Sequence, residues 1–562
     1  MRRIWSIIPR KFRRRSIAVS LTIVIRALLN AVGIAALLPI LYIILDAESV
    51  RSNPLLGKIY SVLGFTSEHN FAIAVAVSVV LFIVAKCLLN LLLYRVERDY
   101  IFALYRHLSR NLYIDYFNRG LQFIKQSNSA VLSRNVNIVC YTFVTGVLRP
   151  IATIAGEAVL FALLFTAMAL YNLTTALLAA AIFAVAAWLY FRIMRRRLDL
   201  YGKRENEAQR RKYRDVTESY RGFAEIEINN AFASRLASFD EQMATIISVG
   251  RKNATAATLP HIFTEVGLAL AMALLVVLCA ESGSSDLKML FGIFAISALR
   301  LLPSIRAIMA SWTALRYNRY TIDIIGELPE SDHTERDSST ERINFQREIE
   351  VRNLSFRFDD AESDTLHNLS LTINRGEKVA ITGRSGAGKT TLLNLLLGLY
   401  TPSSGEILID GRRLDASAHR RWQNSIGYVS QSIFLTDSTL LENIALGQRS
   451  EHIDRERVMR AVEAASLGEF IAQLPNGLDT RIGECGALLS GGQRQRIGIA
   501  RAIYKEADIL FFDEATSSLD NLTERDINSA IEHLSKQNSQ LTIVVVSHRD
   551  SSLGYCDRTI TL

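Results

Sequence analysis

The chain has 562 residues, 49% of them hydrophobic and 21% charged, with a formal net charge of +9 and a mean hydropathy of +0.18. That length is too great for one compact core, so at least two domains are expected. The basic surplus forms no stripe of the kind that tracks nucleic acid. It crowds beside apolar runs, at Arg13-Arg14-Arg15 and Arg195-Arg196-Arg197, which reads as membrane topology and excludes a nucleic-acid partner. Cys87, Cys140, Cys279, Cys485 and Cys556 are scattered without disulfide-like or metal-ligand spacing and read as small buried hydrophobes.

The N-terminus is basic, but no small-residue cleavage site follows the first apolar run, so that run reads as a retained membrane helix. A bilayer span takes roughly 20 mostly apolar residues. Six segments qualify: Ile17–Leu45, Phe71–Tyr94, Val147–Leu170, Thr174–Met194, Leu259–Ala280 and Leu287–Trp312. The third and fourth are separated only by Tyr171-Asn172-Leu173, a tight turn. Arg2, Arg3, Arg10, Lys11 and Arg13 to Arg15 precede the first span. The loops 46–70 and 281–286 are slightly acidic. The long segments 95–149 and 195–252 are rich in basic residues, which predicts both termini and both long segments in the cytosol. These segments read as helical extensions of the spans, turning near Lys125–Ser133 and Val216–Ile226.

Ionisable groups inside spans are costly and point to function. Arg26, Lys86, Glu157, Glu265, Arg300 and Arg306 fall there. Asn30 lies one turn after Arg26 and His261 one turn before Glu265, so each pair shares a face. Arg300 and Arg306 flank Pro303, expected to kink the sixth helix, and two guanidinium groups there suit an anionic headgroup. Arg26, Asn30, Arg300 and Arg306 are the candidate substrate contacts. Ion pairs with Glu157 or Glu265 are the competing reading.

Residues 329–347 are polar and aperiodic and read as a linker between a membrane domain, 1–328, and an α/β domain, 348–562. In the latter, the short strand Val379–Thr382 runs into Gly383-Arg384-Ser385-Gly386-Ala387-Gly388-Lys389-Thr390, followed by the helix Thr391–Leu399. This strand–loop–helix context suits a phosphate cradle. Gly383, Gly386 and Gly388 let backbone N–H groups point at phosphates, Lys389 supplies a cation and Thr390 offers a hydroxyl to Mg²⁺. Ser385 and Thr391 belong to the same nucleotide-contacting set. The strand Ile509–Phe512 ends in Asp513, placed to hold Mg²⁺, and Glu514, placed to orient or deprotonate a water. His548 ends the strand Ile543–Val546 and is expected at the γ-phosphate. The cofactors are therefore ATP and Mg²⁺.

With Leu489-Ser490-Gly491-Gly492-Gln493 added, the chain resembles ABC transporters of the exporter type, with one membrane domain and one nucleotide-binding domain, over essentially its whole length. The fold expected is a polytopic α-helical membrane domain of six spans plus an α/β P-loop ATPase domain. The resemblance implies that Ser490, Gly491, Gly492 and Gln493 contact nucleotide and that Gln431 links Mg²⁺ to the membrane domain. Asp520 of Ser518-Leu519-Asp520 then matches the D-loop and Phe358 stacks on adenine, where Tyr is more usual. Thr480-Arg481-Ile482-Gly483-Glu484 resembles the exporter-specific stretch before the signature. In this family nucleotide sits between two facing domains, so a second copy of the chain is the expected partner.

Asn30-Ala31-Val32-Gly33 before Pro39 and Leu299-Arg300-Leu301-Leu302-Pro303-Ser304 resemble the lipid-linked oligosaccharide flippase branch of bacterial exporters. The expected activity is ATP-driven flipping of an anionic amphiphile across a bacterial cytoplasmic membrane. A multidrug or peptide exporter, or an ATP-gated channel or regulator, remains open as an alternative.

Overall fold

A computed structural model describes residues 2–37, 40, 56–62, 65, 67–171, 173–282, 287–327, 341–514, 521–547 and 553–562. The chain divides into two units, Met1–Arg119 with Phe123–His333, and Gly120–Gln122 with Thr334–Leu562.

The first unit is helical throughout its described residues. Its long rods are Arg10–Ala35, Glu68–Asn118, a third that ends as Arg149–Tyr171, then Leu173–Arg221, Phe232–Ser282 and Leu287–Tyr317. Among the described residues, three helices are long and apolar enough to cross a membrane: Arg10–Gly33, His69–Asn118 and Ser129–Ala167. The other three expected spans fall on the last three rods. Side chains such as Val77, Val80, Leu81, Leu88 and Leu92 are exposed, as an outer face solvated by hydrocarbon requires. The third rod contains two π-helical turns, Asn135–Val139 and Val144–Leu148, around the short helix Cys140–Phe143. The sixth rod runs through Pro303 as one helix.

The turns between rods include Asn128, inside the expected window Lys125–Ser133, and Gly222, inside Val216–Ile226, though each turn extends beyond its window. The first is a short helix, Gly120–Gln126, closed by Asn128, whose side chain accepts from the backbone N–H of Ala130 and Val131 to cap the next helix. The second is Phe223–Ile228, between Gly222 and the left-handed Asn230. Amides and glycines that tolerate unusual backbone set these corners, not the charged runs beside them.

The second unit holds two sheets. Strands β1 (Glu348–Phe356), β2 (Leu366–Asn374), β4 (Ser404–Ile409) and β5 (Arg412–Arg413) form an antiparallel sheet in the order β2-β1-β4-β5. Strands β3 (Lys378–Thr382), β6 (Ile426–Val429), β7 (Ile509–Asp513), β8 (Thr542–Val546) and β9 (Arg558–Thr561) form a fully parallel sheet in the order β6-β7-β8-β3-β9. β7 and β8 are buried along their whole lengths, as a parallel sheet covered on both faces demands. Residues 341–347, read from sequence as the end of the linker, are packed into this unit. Phe345 is fully buried and meets Trp422 edge-on, with ring centroids 6.2 Å apart, and Arg342 donates to the carbonyls of Glu506 and Lys505.

Trp422 is itself fully buried, and its indole N–H donates to the Leu396 carbonyl at 2.7 Å. Trp422→Ala should cost about 3–5 kcal/mol, read as a lowered thermal midpoint of the detergent-solubilised chain. Trp422→Phe, which keeps a ring but loses the hydrogen bond, should fall between Ala and wild type. An Ala variant as stable as the Phe variant would contradict this packing.

Candidate functional site

A parallel sheet delivers the carboxyl ends of all its strands to one edge, where ligands of open α/β folds bind. Here that edge collects the loop after β3, Asp513 and Glu514 at the end of β7, and Gln431 just past β6. β8 lies between β7 and β3 in the order, and Glu514 N–H donates to the Val546 carbonyl at 2.9 Å, fixing the register of this corner.

The phosphate loop has the conformation its glycines predict. Gly383, Gly386 and Gly388 all have positive φ, and Gly388 is the left-handed cap of the helix Lys389–Leu396. A Cβ on Gly388 would lie 2.7 Å from the Leu366 side chain, so only glycine fits there. Lys389 is buried, and its ammonium donates to the carbonyls of Gly383 at 3.2 Å and Arg384 at 3.1 Å. The cation is thus held over its own loop. Thr390 and Ser385 are exposed at the same turn, and Thr391 is buried behind it.

Glu514 sits in a left-handed conformation (φ 46°), which a side-chain-bearing residue adopts only under constraint. Gln431 Nε2 donates to its Oε2 at 2.9 Å. Asp513 is buried, and burial together with the nearby Asp513 carboxylate pushes the Tyr428 phenol up to about 12. A buried carboxylate, a threonine hydroxyl and an amide oxygen are hard oxygen donors of the kind Mg²⁺ takes alongside substrate phosphates. The residues present therefore fit that ion.

Ser490 caps the helix Gly491–Tyr504. Its hydroxyl accepts from Gln493 N–H at 3.2 Å and its own N–H donates to Gln493 Oε1 at 2.8 Å, a reciprocal capping box. Ser490 and Gly491 are exposed, so the helix N-terminus presents its unpaired N–H groups outward. Further along, Arg501 donates to the carbonyls of Asn443 and Phe434, and burial lowers it to about 10. Phe358 is half-buried and stacked edge-on against Phe356 (4.9 Å) and Tyr400 (5.9 Å), an aromatic cluster at the end of β1. Asp520 and His548 lie outside the described residues.

The membrane candidates find partners that sequence reading missed. Arg26 pairs with Glu97 and lies 3.7 Å over the Tyr94 ring, with both charged side chains largely shielded. Asn30 accepts from Asn90 Nδ2 at 3.1 Å. Both residues therefore tie the first rod to the second, partners that the sequence reading did not name. The charge is too costly to leave bare, and an internal acid lies opposite. The available signal was the helical spacing of Asn90, Tyr94 and Glu97 on the second rod. Arg306 donates through Nε to Thr264 Oγ1 at 2.7 Å, not to either expected acid. His261 and Glu265 do meet, at 3.3 Å. The Arg300 side chain lies outside what the structure describes.

Residues 366–517 match the ABC transporter family model. An ATP-dependent lipid A-core flippase of Burkholderia orbicola (strain AU 1054) is 32% identical over 393 residues, 70% of this chain and 65% of that protein. The chain's match thus spans just under two thirds of that relative. Another protein of that name, from Syntrophus aciditrophicus (strain SB), is 43% identical over 231 residues, 41% of this chain and 37% of its own. Among solved structures, a bacterial Atm1-family ABC exporter with ATP bound superposes with a TM-score of 0.75, at 23% identity, covering 98% of this chain and 93% of its own. That likeness gives the fold: a helical membrane domain joined to an ABC ATPase domain.

Breaking the Arg26–Glu97 pair from one side should strand a charge in an apolar setting. Arg26→Ala should destabilise the membrane unit by about 3–5 kcal/mol. The double variant Arg26→Ala, Glu97→Ala should recover part of that loss. Additive effects in the thermal midpoints would show that the two residues do not act as a pair.

Proposed function

We propose that this chain, which carries the ATPase domain of the ABC transporter family in the fold of an ABC exporter, is one half of an ATP-driven flippase for a glycolipid-like amphiphile. A second copy completes it, in a bacterial cytoplasmic membrane with both termini in the cytosol. The observation that carries the catalytic part is the convergence of the phosphate loop, Asp513, Glu514 and Gln431 at one sheet edge, in a chain that also carries apolar membrane helices.

ATP phosphates would take the backbone N–H groups after β3 and the N-terminus of the helix at Lys389, while the Lys389 ammonium leaves its loop carbonyls for the phosphates. Phe358, with its aromatic cluster, would face the adenine. Thr390, Gln431 and Asp513 would hold Mg²⁺, which screens the phosphate charge. Glu514, once released by Gln431, would orient the water that attacks the γ-phosphorus and accept its proton as the bond to the ADP oxygen breaks. Each chain carries one phosphate loop and one signature. The exposed N-terminus at Ser490 would then meet nucleotide held by the partner copy, so that binding closes the pair and hydrolysis reopens it.

The substrate class rests on the relatives named lipid A-core flippases, with Arg300 still a candidate headgroup contact. Arg26, Asn30 and Arg306 carry less of it, since each has a partner inside the membrane unit.

In proteoliposomes, Glu514→Gln should retain ATP binding and lower turnover by about 10²–10⁴-fold, the usual worth of a positioned base. Wild-type ATPase should rise with added glycolipid and not with cationic drugs. Drug stimulation alone would favour a multidrug exporter, and an unimpaired Glu514→Gln would remove Glu514 from its role.

A further inference from the structure

The membrane unit contains a cavity of about 780 Å³ that the mechanism above does not use. It lies beyond the apolar stretch of the fourth rod, in the segment whose basic flanks read as cytosolic. Ligand pockets run to about 300–1,000 Å³, so this one is of binding-site size.

Its principal wall is one stripe of the fourth rod. Glu205, Asn206, Gln209, Lys212, Tyr213 and Tyr220 recur at helical spacing and line it together. A face meant only to pack against another helix would be apolar, whereas this one sets amide, charge and phenol beside Val216 and Thr217. Opposite stands Arg134 on the third rod, 5% exposed, donating to Asn206 Oδ1 at 2.6 Å. It directly precedes the π-helical turn Asn135–Val139, and such turns frequently mark functional places. Tyr317 and Tyr320, at the end of the sixth rod, close a third side. Where the fourth and sixth rods converge there is no space at all. A Cβ on Gly202 would lie 1.8 Å from the Tyr317 carbonyl oxygen, so the cavity is the wedge that opens below a tight crossing.

We propose that this wedge receives the saccharide part of the amphiphile before transfer; the inference rests on the glycolipid reading above. Sugars present C–H faces that lie against aromatic rings, and a ring of hydroxyls that both donate and accept. Tyrosine faces supply the first need; the amides of Asn206 and Gln209, the Glu205 carboxylate and the cations of Arg134 and Lys212 supply the second. A nucleotide would want backbone N–H groups at a helix start, which this mid-helix wall lacks.

The test uses the full chain in proteoliposomes, with a lipid A-core glycolipid and the same lipid stripped of its sugars as probes. For the pair Tyr213→Ala, Tyr220→Ala, half-maximal ATPase stimulation should require about tenfold more glycolipid. Basal ATPase and the response to the stripped lipid should stay at wild-type values. The pair Tyr213→Phe, Tyr220→Phe, which keeps both ring faces, should behave as wild type. If glycolipid stimulates the wild type and the Ala pair responds identically, the wedge is not the saccharide site, while the flippase reading stands. If glycolipid does not stimulate the wild type at all, both fall. On unaltered protein, the water-soluble core oligosaccharide should shield Lys212 from acylation, read by peptide mass spectrometry. Undiminished labelling at saturating oligosaccharide overturns the assignment even if the Ala pair fails to fold.

Discussion

The ATPase unit depends on parallel strand pairing. Because β6, β7, β8 and β3 run the same way, residues more than a hundred positions apart in the chain arrive at one edge without any contact having to be designed between them. A one-residue slip of β7 against β8 would turn Asp513 to the other face and carry Glu514 away from Gln431. The register is held by a fully buried run, Ile509 to Phe512, whose side chains cannot be re-exposed cheaply. Hydrophobic burial behind the edge thus sets the chemistry at the edge, and the left-handed backbone of Glu514 is tolerated because that burial over-determines it.

The membrane unit answers a different constraint. In hydrocarbon, helices gain little by hiding apolar surface from one another, so polar pairs can fix their register. The first and second rods are joined this way at successive levels: Ser16 with Tyr100, Arg26 with Glu97 and Tyr94, and Asn30 with Asn90. As the first rod rises, its partner's residue numbers fall, as two antiparallel helices require. A charge such as Arg26, which a linear sequence shows without a partner, is held here across two helices.

What could be read in advance follows from how local the physics is. The phosphate loop is strand, glycines and helix within about a dozen consecutive residues, and its conformation is the one those residues dictate. The capping box of Ser490 and Gln493 is equally short-range. The partner of Arg26 lies 71 residues away on another helix, and only the relative height of two long rods decides whether an acid or a substrate meets it. The tail of the linker was misjudged because residues 341–347 show no periodicity. Their order comes from one deeply buried ring, Phe345, and from Arg342 reaching backbone carbonyls, neither of which leaves a repeating pattern. The corners of the cytosolic hairpins are legible in sequence only as broad windows for a related reason: charge runs signal exposure but not direction, whereas Asn128, Gly222 and Asn230 set direction.

The fourth rod joins these threads. Its sequence changes character once along its length, from the apolar Leu173–Met194, through the triple arginine, to the mixed stripe between Gly202 and Tyr220. A helix kept only for reach would need no such stripe: the cytosolic part would do with scattered Lys and Glu on every face. Tyrosines and amides, with Glu205 and Lys212, share the one face that meets the cavity, while Arg204, Glu207 and Arg211 lie exposed outside that lining, an arrangement that suits the proposed contact. Gly202 sits at the junction because the rods must touch there for the wedge to open beyond it. The same rod thus carries an apolar stretch, a glycine pressed against a neighbouring backbone, and a stripe that walls a cavity, and the proposed saccharide would meet the last of these.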